Sequence, residues 1–342
     1  MYNSGVTARD TTIVVKEYQM RNYWYVSPSR DGWQNLAMDE WFLDHLDPED
    51  LILYFYVNQN AVIIGKNQNP WKECDLAAME RDGVQLVRRV TGGGAVYHDS
   101  GNLNFSFITG EKRYDLEKQL NLISQAVRSF GIPCDFSGRN DLLADGKKFS
   151  GNAFCHRQSN RQHHGTLLID SDLGRLQNYL QVDPRKLKAK GVESVRSRVC
   201  NLSEFTGDVT PETMLAAIRQ VFEAEYGTVE DFHPTPEQVA EMVPYYEKQH
   251  SWDWRLGRTP AFDLELDTRF LWGGVQLQFT LRNSMVEQVK VWSDAMDPEL
   301  PAEIQARLTG VRFGSRSLCD ALMASEKEQI RDVGQFLLEE GL

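Results

Sequence analysis

Arg88-Arg89-Val90-Thr91-Gly92-Gly93-Gly94-Ala95-Val96-Tyr97-His98-Asp99, with Gly101-Asn102-Leu103-Asn104-Phe105 close behind, joins two β-like runs through three consecutive glycines. Residues 84–89 read as the strand that feeds the loop, and 103–108 as the strand that returns from it. Glycine lets the chain adopt positive φ and lets a ligand approach bare backbone. Successive N–H groups in such a turn form a concavity that suits an anion. An arginine fork at its edge can grip phosphate or carboxylate through two bonds. The plainer alternative is a tight turn flanked by surface arginines.

Working outward, apolar residues recur at Trp33, Ala37 and Trp41 and at Met38, Phe42 and Leu46, which predicts an amphipathic helix over 33–46. Residues 51–57 and 61–65 read as two strands joined in a hairpin by Asn58-Gln59-Asn60. Asn69 caps a helix with Pro70 at its first position, ending near Gly83. A further helix spans about 116–130 and stops at Gly131. Asp145-Gly146 is a hairpin signal, and strict alternation after it puts Lys148, Ser150 and Asn152 on one face. Residues 165–169 form another strand, and helices follow near 211–226 and 235–247.

A composition shift near 248–260 precedes strands at 261–266, 275–282 and 285–293 and then helices to the end. Short strands and hairpins with helices between them indicate an α+β fold with a mixed or largely antiparallel sheet. The expected organisation is an N-terminal extension over 1–20, a large domain over 21–250 and a small α+β domain over 258–342.

The 342 residues are ordinarily globular in composition, 41% hydrophobic and 25% charged. The longest apolar run, 51–57, is far short of the roughly 20 residues a membrane helix needs. A net charge of −12 argues against general nucleic-acid binding. Cys74, Cys134, Cys155, Cys200 and Cys319 are odd in number and form no Cys-x-x-Cys pair, so a reducing compartment is expected. Residues 1–11 read as a loosely ordered extension without a secretory signal, and they match a transit peptide poorly. A cytoplasmic location follows, with a mitochondrial one as the alternative.

The chain has neither a P-loop nor a Rossmann glycine pattern. Lys148 is the best single cation for charge developing on a phosphate or carbonyl oxygen, against the plain reading of a solvated hairpin lysine. His163-His164 lack partners at zinc-ligand spacing. His98 ends the glycine loop, where it either contacts a ligand or makes a turn hydrogen bond. Cys155 is either an acyl-carrying thiol or a half-buried strand cysteine. Residues 185–198 hold Arg185, Lys186, Lys188, Lys190, Arg196 and Arg198 against Glu193, which makes a basic loop in an acidic chain. Such a loop can fold over an anionic ligand or simply keep the surface soluble.

Together these segments resemble the lipoate–protein ligases of the two-domain type. The matching residues are Gln68 to Cys74, the glycine-loop run, Gly138 to Ala153, His163 to Leu168, Lys188 to Leu202 and Ser251-Trp252-Asp253-Trp254. The resemblance implies an α+β catalytic fold shared with biotin–protein ligases and a small mobile C-terminal domain. It also implies a two-step reaction. ATP and lipoate give lipoyl-adenylate and pyrophosphate, and a carrier lysine then attacks the mixed anhydride.

By the resemblance, Arg89, Gly94, Ala95, Val96 and Tyr97 align with nucleotide contacts, joined by Asn140, Asp141 and Lys148. Lys148 aligns with the lysine that touches both the lipoyl carbonyl and the α-phosphate. Lipoate would lie against Lys148, Arg89, Gly92, Gly93 and Tyr56, its tail near the 51–65 hairpin. Lys190, Arg196 and Arg198 align with the loop that orders over the adenylate. Family enzymes require magnesium, whose ligands would be mainly phosphate and water, with Asp141 the nearest acid. Acceptors would be apo lipoyl domains of 2-oxoacid dehydrogenase acyltransferase subunits and the glycine-cleavage carrier protein. Val90-Thr91 departs from a frequent Ser-Ser pair and keeps the hydroxyl only at Thr91. Alternatives are a lipoyl or octanoyl transferase, a biotin ligase and a non-catalytic binder of lipoyl domains.

Overall fold

The computed structural model describes residues 20–137, 141–180, 199–256, 264–282 and 285–342. The expected extension, apart from Met20, lies outside the described residues, as do Asn140, Lys190, Arg196, Arg198 and the rest of the basic stretch 185–198.

Strand β1 (Asn22–Val26) is followed by α1 (Gly32–His45), β2 (Leu51–Tyr56) and β3 (Ala61–Ile64). Two short helices, α2 (Pro70–Glu73) and α3 (Leu76–Arg81), precede β4 (Gln85–Arg88), β5 (Val96–His98) and β6 (Asn102–Gly110). Helix α4 (Leu116–Arg128) leads to β7 (Asp135–Ser137), β8 (Asp141–Ala144), β9 (Lys147–Arg157) and β10 (Asn160–Leu168). Then come α5 (Pro211–Tyr226), β11 (Glu230–Asp231), α6 (Pro236–His250) and α7 (Trp252–Arg255). The C-terminal part holds β12 (Leu264–Phe270), β13 (Gly273–Arg282) and β14 (Met285–Ser293). It ends in α8 (Leu300–Leu308), α9 (Ser315–Met323) and α10 (Glu328–Glu339).

An eight-stranded mixed sheet runs in the order β11-β1-β2-β6-β10-β9-β8-β7. Strand β1 is parallel to both neighbours, and the remaining pairs are antiparallel. Both faces of β2 are covered, which explains the unbroken apolar run there. Leu53 and Phe55 face Ile123, Ile218 and Phe222 of α4 and α5. Ile52 and Tyr54 face Phe42 of α1 together with Ile63 and Val87. The C-terminal strands and helices close a separate apolar core around Leu277, Ile304 and Leu318.

Three local expectations change. The hairpin over 51–65 does not form: β2 joins the large sheet, whereas β3 pairs with β4 in parallel and with β5 antiparallel. Both runs need two covered faces, and two stacked sheets supply them. The helix expected from Pro70 to Gly83 is split at Cys74, which bridges Leu180, and Asp75 caps a new start at α3. The Asn69 amide nitrogen donates to Gln276 of β13 at 2.9 Å.

The Asp145-Gly146 turn forms, with both residues at positive φ. A bulge between Leu142 and Leu143 then makes Leu143 face Lys148 and Leu142 face Ser150. Phe149 enters the core, and the Lys148 side chain lies over Gly151, its Nζ 2.9 Å from where a Cβ there would stand. The extra residue therefore moves Lys148 off the face of Ser150 and Asn152.

His163 packs on Phe107 and Phe154, its ring nitrogens bonded to Gln119 and Asn152. Burial pushes His163 and His98 down to about 3. The unfolded chain binds protons on both below about 6.5, so their neutral burial stabilises fully above that pH. The contribution is lost as pH falls from 6.5 toward 3. The expected result is an unfolding free energy, read from urea titrations, that drops between pH 7 and pH 5 by up to about 1.4 kcal/mol per pH unit for each ring.

Candidate active site

The glycine loop connects β4 to β5, and its two arginines part company. Arg88 turns away from the loop: its guanidinium donates to the carbonyls of Gly65, Lys66, Gln68, Trp254 and Arg255. Arg89 turns into the loop and donates to the carbonyls of Ile63, Gly92 and Gly94. Burial lowers both to about 10, so both are cationic at neutral pH. The free fork expected at the edge is therefore committed to backbone. What Arg89 brings to the cleft is a fixed positive charge and a loop held in shape.

Gly93 sits at φ +92°, a conformation that favours glycine. Its N–H donates to the Ala295 carbonyl beyond β14 at 3.0 Å. At the loop entrance the Thr91 hydroxyl lies 2.8 Å from His164 Nε2, and His164 Nδ1 lies 3.1 Å from Asp39 Oδ2. With Nδ1–H donating to the Asp39 carboxylate, Nε2 accepts from the Thr91 hydroxyl.

A cleft of about 310 Å³ opens beside this loop. Gly92, Gly93, Gly94, Ala95, Val96, Arg89, Lys148 and Tyr56 all line it. The sequence thus names one continuous wall. The bulged strand brings Lys148 to it, with Nζ 2.8 Å from Asp141 Oδ1. At the outer end Gly94 is exposed and Ala95, Val96 and Lys148 are partly so, whereas Leu36, Tyr56, Ile63, His98 and Asn104 are buried at the inner end.

Tyr97 does not line the cleft: its ring stacks on Tyr179 and its hydroxyl donates to Asn60 at 2.7 Å. Asp141 meets the cleft through Lys148. Sequence reasoning missed Leu36, Ile63, Asn152, Thr166 and Met296 as lining residues. It also missed Asp39, a carboxylate inside the apolar stripe of α1, where an unexplained buried acid is a readable signal. Met296 arrives from the C-terminal part, and no local pattern marks it. All five cysteines are buried, and none lines the cleft. Burial raises the Cys155 and Cys200 thiols to about 11.

Among the described residues no group of three His, Cys, Asp or Glu side chains is placed to hold a metal ion. A single carboxylate beside a cationic cleft suits a hard ion that takes its other ligands from phosphate and water. Asp141, whose carboxylate stands beside the cleft and pairs with Lys148 at 2.8 Å, fits that limited part.

Residues 31–223, more than half of the chain, match the lipoyl protein ligase A/B catalytic domain, and 259–337 match the bacterial lipoate protein ligase C-terminus. Lipoate-protein ligase A of Psychrobacter cryohalolentis is 38% identical over 323 residues, covering 90% of this chain and 95% of the relative. Among solved structures, P. falciparum LipL1 in complex with lipoate superposes with a TM-score of 0.81 at 27% identity. That match covers 93% of this chain and 99% of the other. A lipoate-protein ligase A bound with ATP gives 0.59 at 27% identity, over 70% of this chain and 99% of that one. A bipartite ligase from Thermoplasma acidophilum, described together with its E2 lipoyl domain as an archaeal lipoylation system, gives 0.62 at 28% identity, over 72% of this chain and all of its own. With its α+β sheet, its glycine loop and both of its halves matched, this chain belongs to the lipoate–protein ligase family.

Proposed function

We propose that the cleft performs both halves of an ATP-dependent lipoate ligation. The observation that carries this reading is the convergence of Lys148 and the Gly92–Gly94 loop on one cleft with a buried apolar end. In the first half the lipoate carboxylate attacks the α-phosphorus of ATP, and pyrophosphate leaves. Lys148 Nζ neutralises charge growing on the α-phosphate and the acyl oxygen. Arg89 adds fixed charge behind the loop, while the backbone of Gly94, Ala95 and Val96 flanks the nucleotide. In the second half a carrier lysine amine attacks the acyl carbon, the carbon–oxygen bond to phosphate breaks, and AMP leaves. Magnesium, when bound, offsets phosphate charge, and Asp141 is the side chain here that would share in holding it.

We take residues 21–250 as the catalytic unit and 258–342 as an accessory domain, supported by their separate apolar cores. Acceptors are lipoyl domains. We propose those of 2-oxoacid dehydrogenase acyltransferase subunits and the glycine-cleavage carrier protein. Nothing in the acidic chain favours nucleic acid, and no described helix is long and apolar enough to cross a membrane. We assign the protein to the cytoplasm. A transferase with an acyl-thioester route would need a presented thiol, and Cys155 is buried away from the cleft with its proton held tightly. The expected result is lipoate-dependent exchange of labelled pyrophosphate into ATP, followed by lipoylation of an added apo lipoyl domain. Lipoylation from a preformed adenylate without any exchange would instead identify a transferase.

A further inference from the structure

His98 carries a hydrogen-bond donor that nothing among the described residues uses. The residue is 3% exposed and lines the buried end of the cleft beside Leu36, Tyr56 and Ile63. Its Nε2 has no hydrogen-bond partner among the described residues. Which nitrogen holds the proton follows from a chain of buried amides. The Ser29 backbone carbonyl can only accept, so Asn35 presents Nδ2 to it at 3.1 Å. The same Nδ2 donates to Asn58 Oδ1 at 2.9 Å. That bond leaves Asn58 Nδ2 to face His98 Nδ1 at 3.0 Å. An amide nitrogen donates, so Nδ1 accepts, and the neutral ring carries its proton on Nε2. Burial first, then the nearby Arg89 and His164, keeps the ring neutral with its pKa down at about 3. A network on α1 and the β2–β3 connection therefore fixes a donor at the buried end of the pocket, beside the apolar Leu36 and Ile63.

We propose that the Nε2–H of His98 donates to the dithiolane sulfurs of lipoate and makes the cleft select lipoate over octanoate. This rests on the ligase reading. The carboxylate must meet ATP near Lys148 and the glycine loop, so the far end of an eight-carbon acid reaches the buried end. Lipoate and octanoate share chain and carboxylate and differ there, where lipoate has two sulfurs. Sulfur is a weak acceptor, and a hydrocarbon is none. Octanoate offers Nε2–H no acceptor at all and leaves the buried donor unpaired.

The test measures pyrophosphate exchange by the full-length enzyme with each acid in turn. His98→Leu is expected to lower the lipoate-to-octanoate ratio of kcat/KM by about tenfold, mainly through KM for lipoate. Asn58→Asp offers His98 only acceptor oxygens, which moves the ring proton to Nδ1 and turns Nε2 into an acceptor. The same loss of preference is expected from this change outside the cleft wall. An unchanged ratio in the folded variants overturns the proposal, as does an equal loss for both acids, which would mean that His98 serves the carboxylate. If neither variant folds, nitrogen NMR of the wild-type ring decides. Nε2 must carry the proton and shift with lipoate but not with octanoate, and a proton on Nδ1 overturns the assignment. Absence of exchange with either acid in the wild type would overturn the ligase reading instead.

Discussion

Replacing Lys148 with alanine is expected to lower lipoate-dependent pyrophosphate exchange by about 10²–10³-fold, the scale of removing one preorganised charge from a developing oxyanion. The fold should hardly register the change. Lys148 and Asp141 are each about one-third exposed, and exposed pairs contribute about 0–1 kcal/mol. The melting temperature should therefore move by a few degrees at most. Lys148→Arg keeps the charge but replaces a compact ammonium with a planar fork, so it should recover only part of the rate. Wild-type exchange in a folded Lys148→Ala protein would remove Lys148 from the reaction.

The second large effect is expected at a residue with no side chain and no role in the chemistry. Gly65 follows β3, and a Cβ there would stand 2.1 Å from the Gly93 carbonyl oxygen and 3.3 Å from the Gly92 carbonyl carbon. The obstacle is backbone, so no rotamer relieves it. Gly65→Ala must push the glycine loop away from β3, at a cost of about 1–3 kcal/mol. A displacement near 1 Å at the cleft wall is expected to reduce exchange by about 10²-fold. Gly94→Ala is the control for stability, because a Cβ there meets nothing within 4 Å. Urea unfolding of both variants, read beside exchange, checks the argument. Gly65→Ala with wild-type stability and exchange would show that the two backbones are not in register as described.

Much of this was legible in the sequence because it depends on neighbours in the chain. The glycine loop, the Asp145-Gly146 turn and helices α1, α4 and α5 follow from local pattern and caps. The failures share one cause. Residues 51–57 and 61–64 look like a hairpin because strand pairing is invisible in apolar character, and their separation into two sheets is decided by what covers them. The bulge that carries Lys148 to the cleft is set by pairing with β8, so strict alternation misassigned its face. The tight contact of Ala295 and Met296 with the loop joins residues some 200 positions apart, and no spacing rule reaches that far. Arg88 and Arg89 were read together as one cationic edge. Adjacent strand residues point opposite ways, and the fold uses them for different tasks.

The buried thiols acquire a meaning once the substrate is considered as a reagent. Lipoate carries a ring disulfide, and any nearby thiolate can open it by exchange to form a mixed disulfide. A thiol held near pKa 11 is ionised to only about one part in 10⁴ at neutral pH, and Cys155 and Cys200 are held there. With every cysteine buried and none on the cleft wall, the cleft presents no thiol to the molecule it handles. A disulfide-bearing acid can rest in this cleft, be activated and depart without trading sulfur with its host.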